Sequence, residues 1–392
     1  MKRTLRLLLL RLLALAARAW VLPRRATIAR VLYLKPDHLG DILLATPVLA
    51  ALRARQPQAH ITAMVGPWSA SMLARNPDID TILTCPFPGF ERQVPAGGRL
   101  MRRLRPYVLL IHYGMLLRRG NYDVALIGRD DHWWGAALAL LAGIPLRIGF
   151  AVPECRPFLS VALPWNAHDH VTAQGLALVQ ALPGPPLPAY IPARFTPAPA
   201  DHAWAESWLR ENTLAAERLV IIHPGTAGPD KLWFPERWAT VADELVRAGA
   251  QLVLTGGPGE AELVAAVAAA MHTPAIQLAG RTSVGQLAAL LGRASLVLGV
   301  DSGPLHIAAA QAIPSIHLYG PGDAGRFGPW GDPAQHRVIR AELWCSPCGV
   351  FSACPRGLAQ PECMQQIATE QVLAAARQLH GNHKNDGKAR LQ

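Results

Sequence analysis

The chain has 392 residues, of which 51% are hydrophobic and 17% charged, and its formal net charge is +11. This length exceeds what one hydrophobic core usually serves, so two domains of comparable size are expected. The basic residues are scattered and no run of them alternates with aromatic residues, which argues against a nucleic-acid-binding protein. A basic surface instead suits an anionic lipid surface or an anionic substrate.

The first 25 residues combine leucine and alanine with seven basic residues. The uncharged runs between the arginines are far shorter than the ~20 residues that span a bilayer. A secretory signal is the rival interpretation, but Arg11 and Arg18 would interrupt its apolar core. Residues 1–25 are therefore predicted to form a basic amphipathic segment, which is either an interfacial helix or an ordinary solvated helix. The interfacial interpretation predicts a cytoplasmic protein that is peripheral on the inner face of the cytoplasmic membrane.

The first predicted strand, 29–34, leads into a loop that contains Gly40 and Asp41 and then into a helix. This loop lacks the Gly-x-Gly-x-x-Gly pattern, so a nicotinamide- or flavin-dependent dehydrogenase is not indicated. Asp41 stands at the C-terminal edge of the first strand, where open α/β sheets place their reacting groups. The same residue also suits a plain capping role, because aspartate often caps a following helix.

Strands and helices continue to alternate through the first half, which predicts an α/β fold with a parallel sheet. Further strands are predicted at 60–65, 81–85, 122–128 and 147–150, and helices at 69–75 and 133–142. The segment 86–105, rich in Pro, Gly and Arg, is predicted to be a mobile loop positioned to touch a substrate. The proline-dense segment 183–199 marks a boundary between domains 26–185 and 186–379, and the polar tail 380–392 is predicted to be disordered.

The second half repeats the alternation, with strands predicted at 219–223, 251–255, 275–278, 297–300 and 315–319. After the fourth of these, Asp301 or Ser302 is suited to cap a helix, Gly303 lets the backbone approach a ligand closely, and Pro304 fits the first helical turn. A helix N-terminus of this kind attracts phosphate, so the loop is a candidate diphosphate site with Asp301 and His306 beside it. An ordinary capped strand-to-helix turn has the same pattern.

Two more strand-end loops of the second half carry residues suited to the same ligand. Thr226 supplies a hydroxyl after a His-Pro-Gly turn, and Lys231 supplies a point charge for phosphate. After a Gly-Gly-Pro-Gly turn, Glu260 or Glu262 is placed to receive ribose hydroxyls. Each residue also has a plainer interpretation, because Lys231 suits a solvated loop and either glutamate suits the first turn of a helix.

Four of the six cysteines, Cys345, Cys348, Cys354 and Cys363, lie close together near the C-terminus. Without a credible export signal, disulfides are not the first interpretation. The four side chains either bind zinc as thiolates, with wider spacing than common structural sites have, or pack together as thiols.

Five motifs occur in order along nearly the whole chain: HLGDILLATP (38–47), HPGT with KLWFP (223–235), LTGGPGE (254–260), DSGPLH (301–306) and CSPC with CM (345–364). Together they resemble glycosyltransferase family 9, the heptosyltransferases of lipopolysaccharide inner-core assembly. The resemblance implies a GT-B fold, with two Rossmann-like domains facing across a cleft. It also implies an inverting transfer from ADP-L-glycero-D-manno-heptose to a lipopolysaccharide core acceptor, lipid A-Kdo or heptosylated, with no obligatory cofactor or metal.

Residue roles also follow from the resemblance. Asp41 matches the proposed catalytic base, while Lys231, which we also assign a catalytic role, and Thr226 match diphosphate contacts. Glu260 matches a ribose contact, and the donor-side loop is matched by Asp301, Ser302, Gly303 and His306. Ser302 replaces a threonine that is frequent in relatives and keeps the hydroxyl. The acceptor residues are not identified.

Two alternatives differ from this function. One is a GT-B enzyme that uses another nucleotide-sugar for a cell-surface glycan, or a GT-B-like sugar-nucleotide epimerase. The other is a non-catalytic nucleotide- or glycan-binding module, for which Asp41 would be dispensable while ligand binding persisted.

Overall fold

A computed structural model of the chain describes residues 2–91 and 98–389. The chain divides into two compact units, the first ending at Ile191 and the second beginning at Pro192. This division lies inside the proline-dense segment 183–199. Each unit contains a six-stranded sheet in which the neighbouring strands run parallel.

The first unit alternates strands and helices as its apolar pattern predicts. Its strands are β1 Arg30–Lys35, β2 His60–Val65, β3 Thr81–Thr84, β4 Val124–Ile127, β5 Leu146–Phe150 and β6 Val161–Leu163. Its helices are α1 Lys2–Arg18, α2 Leu39–Leu44, α3 Thr46–Arg55, α4 Arg99–Arg119, α5 Trp133–Leu141 and α6 Val171–Gln180. The central strands are almost fully buried because helices cover both faces of a parallel sheet.

The second unit repeats this plan. Its strands are β7 Leu219–His223, β8 Gln251–Leu254, β9 Ile276–Gln277, β10 Leu296–Val300, β11 Ser315–Tyr319 and β12 His336–Arg340. Its helices are α7 Pro199–Glu211, α8 Pro235–Arg247, α9 Ala261–Ala270, α10 Val284–Leu291, α11 Gly303–Ala310, α12 Ala324–Phe327, α13 Glu362–Gln365 and α14 Thr369–Ala389.

Both sheets share one strand order. The first sheet runs β3-β2-β1-β4-β5-β6 and the second runs β12-β11-β10-β7-β8-β9, which is the same order read from the other edge. This is the strand order of a Rossmann fold, in which the second and third strands lie on one side of the first strand and the fourth to sixth strands lie on its other side. The switch points therefore lie between β1 and β4 and between β7 and β10, where α/β proteins bind ligands.

Helix α4 corrects the prediction of a mobile loop over 86–105. The helix begins at Arg99, includes Pro106 and continues to Arg119, while residues 92–97 of the predicted loop lie outside the described residues. Leu109, Leu110 and Tyr113 of α4 pack on the core that contains α5. Tertiary packing and a run of good helix formers from Arg99 onward thus outweigh the Pro, Gly and Arg content that suggested a loop.

Two smaller differences concern helices. The helix predicted at 69–75 is a short 3-10 turn, Ala70–Leu73. Helix α14 continues to Ala389, past the predicted start of the tail, because an already packed helix extends without a new nucleation cost. In the part of the chain that is described, no helix is long and apolar enough to cross a membrane.

Candidate functional site

The switch point of the second unit joins the two loops that the sequence analysis singled out. Thr226 follows β7 and Asp301 follows β10, and these strands are neighbours in the sheet. The Thr226 hydroxyl donates a hydrogen bond to the backbone carbonyl of Asp301 at 3.0 Å. Residues 75 positions apart are therefore held in one loop cluster at the C-terminal edge of the sheet.

Lys231 joins the same cluster. It ends a short 3-10 turn, and its Nζ lies 2.9 Å from Asp301 Oδ2 and 3.1 Å from the Asp301 carbonyl oxygen. The Nζ also lies 4.7 Å from the centroid of the Phe351 ring. Burial disfavours a charge on Asp301, but the His306 side chain and the positive charge of Lys231 outweigh it and hold the Asp301 pKa well below its usual range. The lysine is thus held in the loop cluster by the ionised Asp301.

Helix α11 begins beside this ion pair. Its N-cap is Ser302, but the Ser302 side chain makes no capping bond, and the Asp301 carboxylate faces Lys231. Ser302 therefore occupies the N-cap position as predicted, but its side chain makes no capping hydrogen bond, and the Asp301 carboxylate is held by Lys231 instead. Ser302 Oγ is buried without a hydrogen-bond partner. A helix N-terminus without a side-chain cap presents donor N–H groups and a partial positive charge to an anion.

His306 lies on the inner side of this loop. Its side chain is 6% exposed, and its Nε2 lies 3.9 Å from Asp301 Oδ1. Beyond it, the Ser315 hydroxyl lies 2.8 Å from His317 Nε2 and 2.9 Å from His336 Nδ1. Burial lowers the pKa of His317 well below its ordinary value and lowers that of His336 to about 4. His306 therefore supports Asp301 from a buried cluster of rings.

Glu260 is the glutamate that faces the switch point. Its Oε2 accepts a hydrogen bond from the Gly257 N–H at 2.6 Å and lies 3.5 Å from His223 Nε2, at the end of β7. A Cβ atom added to Gly225 would lie 2.2 Å from the Glu260 carboxyl carbon, so the Glu260 carboxylate packs directly against the backbone of Gly225. Glu262 is exposed on helix α9. Of the two candidates, Glu260 is the one beside the β7 loop.

Two further residues complete the cluster. A Cβ atom on Gly322 would lie 2.8 Å from Asp301 Oδ2, so the glycine-rich loop after β11 closes against the aspartate. The Phe351 carbonyl accepts a hydrogen bond from the Asp230 N–H at 3.2 Å. The glycine-rich sequence of 320–331 could have indicated the close approach of Gly322 to another residue, whereas no pattern in the sequence indicates the role of Phe351.

In the first unit, Asp41 lies in the first turn of α2, close after the end of β1. It was expected in a loop, but helix α2 already begins at Leu39. It is not the N-cap either, since that position belongs to His38. Its side chain is partly exposed. A carboxylate in the first turn of a helix is stabilised by the helix dipole, and Asp41 stands beside the switch point of this unit.

Sequence reasoning missed an ion-pair network at this switch point. Asp37 is buried, its Oδ2 lies 3.1 Å from Lys35 Nζ, and its Oδ1 accepts a hydrogen bond from Arg129, which follows β4. Arg129 also pairs with Asp131. Burial opposes ionisation of Asp37, but Lys35 and Arg129 prevail and lower its pKa to about 2. Asp37 is therefore committed to its partners and is a poor proton acceptor.

His132 lies next to this network. Its ring makes edge contacts with Phe87 and Phe90, and neither ring nitrogen has a hydrogen-bond partner. Burial lowers its pKa to about 4. His132 is consequently a neutral ring in the core of the first unit at neutral pH.

The cysteine segment does not form an assembled metal site. Cys363 is buried, Cys348 is exposed, and Cys345 and Cys354 are partly exposed. Over residues 2–91 and 98–389, no three His, Cys, Asp or Glu side chains are grouped so as to hold a metal ion. Burial, followed by the effect of Cys348, raises the pKa of Cys363 to about 11, so it is a thiol at neutral pH.

Comparisons with known proteins find relatives in sequence and in structure. The family model for glycosyltransferase family 9 (heptosyltransferase) matches residues 112–354. The lipopolysaccharide heptosyltransferase 3 of Escherichia coli K12 is 29% identical over 333 residues, which cover 78% of this chain and 91% of the relative.

Solved structures match over almost the full length. A glycosyl transferase family 9 protein of Veillonella parvula has a TM-score of 0.76 at 24% identity and covers 92% of this chain and 100% of its own. The ADP-heptose lps heptosyltransferase II of E. coli has a TM-score of 0.68 at 23% identity, with 91% and 99% covered. These likenesses confirm the expected fold of two Rossmann-like domains.

Proposed function

Because this chain belongs to glycosyltransferase family 9 and is therefore a transferase with a GT-B fold, we propose that it transfers a heptose from ADP-L-glycero-D-manno-heptose. The acceptor in this proposal is a lipopolysaccharide core, either lipid A-Kdo or an already heptosylated core. The names of the relatives support heptose as the transferred sugar and lipopolysaccharide as the product, since these relatives are lipopolysaccharide heptosyltransferases. The proposed reaction inverts the anomeric centre and needs no obligatory cofactor.

The observation that carries the donor assignment is the cluster of Lys231, Thr226 and the N-terminus of α11 at one switch point. These groups supply a cation, a hydroxyl and helix N–H donors, which are the groups that bind a diphosphate. Asp301 holds Lys231 through its carboxylate and its carbonyl oxygen, so we assign it a positioning role in the donor loop. Glu260, beside Gly225, is proposed to accept hydrogen bonds from the ribose hydroxyls.

The base in this proposal is Asp41. As the acceptor hydroxyl attacks, a bond forms between its oxygen and the anomeric carbon, and the acceptor's proton passes to the Asp41 carboxylate. The bond between the anomeric carbon and the diphosphate oxygen breaks, and the electron pair leaves with ADP. Lys231, Thr226 and the end of α11 stabilise the negative charge that develops on the diphosphate. A single displacement of this kind inverts the configuration.

A lipid-linked acceptor is anchored in a membrane, and the enzyme must reach it there. We therefore propose that the protein is cytoplasmic and peripheral on the inner face of the cytoplasmic membrane. The basic segment at the start of the chain supports this location, because α1 carries basic residues and no acidic ones.

A nucleotide-sugar panel tests the donor. Purified protein is titrated calorimetrically with ADP-heptose, ADP-glucose, UDP-glucose and UDP-N-acetylglucosamine, and ADP-heptose is expected to bind tightest. The same titrations on Lys231→Ala should show weakened binding, whereas Arg247→Ala, which removes an exposed cation from the last turn of α8, should match the wild type. Tighter binding of a UDP-sugar would replace the heptose donor with another.

A further inference from the structure

Helix α4 carries an apolar stripe that faces solvent. Six side chains along it are between 47% and 62% exposed: Met101, Leu104, Tyr107, Val108, Ile111 and Met115. Their spacing of three and four residues places them on one face of the helix. The opposite face, with Leu110, Tyr113 and Leu117, packs on the core of the first unit. The helix is thus apolar on both faces, and within residues 2–91 and 98–389 only one of them is covered.

Helix α1 has the same character. Leu10 and Ala14 are buried against the first unit, whereas six leucines are between 52% and 60% exposed: Leu5, Leu8, Leu9, Leu12, Leu13 and Leu15. Both helices pack on α5, which is almost completely buried between them. The segment that follows α1 contacts α4, where Arg118 donates a hydrogen bond to the Trp20 carbonyl at 2.8 Å and lies over the Trp20 ring. We call the twelve exposed side chains of the two stripes the apolar surface.

Positive charge accompanies the apolar surface. Helix α1 contains five basic residues and α4 contains six, and neither contains an acidic residue. At the edge of α1, a groove of about 480 Å³ is lined by Arg11, Arg18 and Arg156 together with Ala14, Leu15 and Pro157. Three guanidinium groups around one groove suit the phosphate of a lipid headgroup.

We propose that α1 and α4 together dock the first unit onto an anionic phospholipid bilayer. The inference rests on the proposed function in one respect, that the acceptor is lipid-linked. The apolar surface enters the boundary between headgroups and acyl chains, and the arginines, including those of the groove, bind lipid phosphates. A second copy of this chain is a poorer occupant, because it would bring two sets of like charges together without acidic partners.

Vesicle sedimentation tests the proposal on the full-length protein. Vesicles of phosphatidylglycerol and phosphatidylethanolamine at a 1:3 ratio should bind the wild type, and phosphatidylcholine vesicles should bind it at least about tenfold more weakly. The triple variant Met101→Gln, Val108→Gln and Ile111→Gln keeps every charge and should lose about tenfold or more in affinity for the anionic vesicles. Because these side chains are exposed, the variant should keep its melting temperature and its ADP affinity.

The matched control removes apolar side chains elsewhere. Val338, Trp344 and Leu358 are exposed in the second unit, and their replacement by Gln should leave vesicle binding unchanged. Wild-type binding that the α4 variant keeps in full would overturn the proposal, because net charge alone would then explain it. A wild-type dimer that the variant converts to a monomer, without vesicle binding by either, would overturn it in favour of self-association. None of these readouts requires a sugar donor, so they stand apart from a failure of the transferase assignment.

Discussion

Removing the Lys231 cation should slow transfer by a large and calculable factor. The Lys231 side chain is 15% exposed and is held 2.9 Å from Asp301 Oδ2, so its charge occupies a fixed, partly dehydrated position. A unit charge about 4 Å from the leaving diphosphate contributes about 4 kcal/mol at an effective dielectric constant near 20, and water reduces this. A loss of roughly 2 to 4 kcal/mol in the barrier corresponds to a decrease in kcat of about 30- to 1000-fold.

The assay for Lys231→Ala is the initial rate of ADP release at saturating donor and acceptor. Arg247→Ala is the control, since it removes a cation whose partner is an exposed glutamate on α8. Asp301→Asn is a second arm, because the backbone carbonyl of residue 301 still contacts Lys231, and a decrease smaller than that of Lys231→Ala is expected. An unchanged kcat and an unchanged ADP affinity in a folded Lys231→Ala variant would remove the lysine from the site.

Three further predictions follow from single contacts. Gly225→Ala should displace Glu260, because the added Cβ would lie 2.2 Å from its carboxyl carbon, and ADP-sugar affinity measured by calorimetry should fall while overall secondary structure is kept. The free energy of unfolding should fall as the pH drops from about 6.5 towards 4, because His132 has a folded pKa of about 4 and its imidazole is protonated at a higher pH in the unfolded chain. His132→Leu should reduce this pH dependence, which is measured as the free energy of unfolding from urea titrations at several pH values between 4 and 6.5. An unaltered pH dependence would contradict the buried neutral state of His132. Asp37→Asn should cost about 3 to 5 kcal/mol of stability, because the buried ammonium of Lys35 would lose its carboxylate partner, while the folded fraction retains turnover; a catalytic loss without a stability loss would instead make Asp37 the base.

The strands and the loops at their ends were predictable from the sequence, because buried parallel strands need continuous apolar runs and the ligand loops follow them. The prediction of β2 at 60–65 matches the observed strand, and the run before Asp301 is β10. The order of strands made the loops neighbours. Thr226 and Asp301 meet because β7 and β10 pair, which no local pattern encodes.

The contacts that the sequence did not reveal are long-range ones. Asp37 and Arg129 are 92 residues apart, and each residue alone is an ordinary loop charge. Phe351 reaches Lys231 from a segment whose cysteines drew attention to zinc instead. Helix α4 was hidden because the Pro, Gly and Arg content of 86–105 suggested a loop, whereas packing on α5 stabilises a helix. Such features depend on tertiary partners, for which a single sequence offers no periodic signal.

The rate of heptose transfer by Asp41→Asn, relative to the wild type, tests whether the protein transfers heptose with Asp41 as the base. Purified enzymes are given ADP-heptose and a lipopolysaccharide core acceptor, and the heptosylated product is measured by mass spectrometry, with melting temperatures recorded for both proteins. The Asp41→Asn variant should fold normally, bind the donor as the wild type does and lose about a hundredfold or more in rate, which is the scale of general-base catalysis. Full turnover by the folded variant, or no transfer from ADP-heptose by the wild type, would contradict the account.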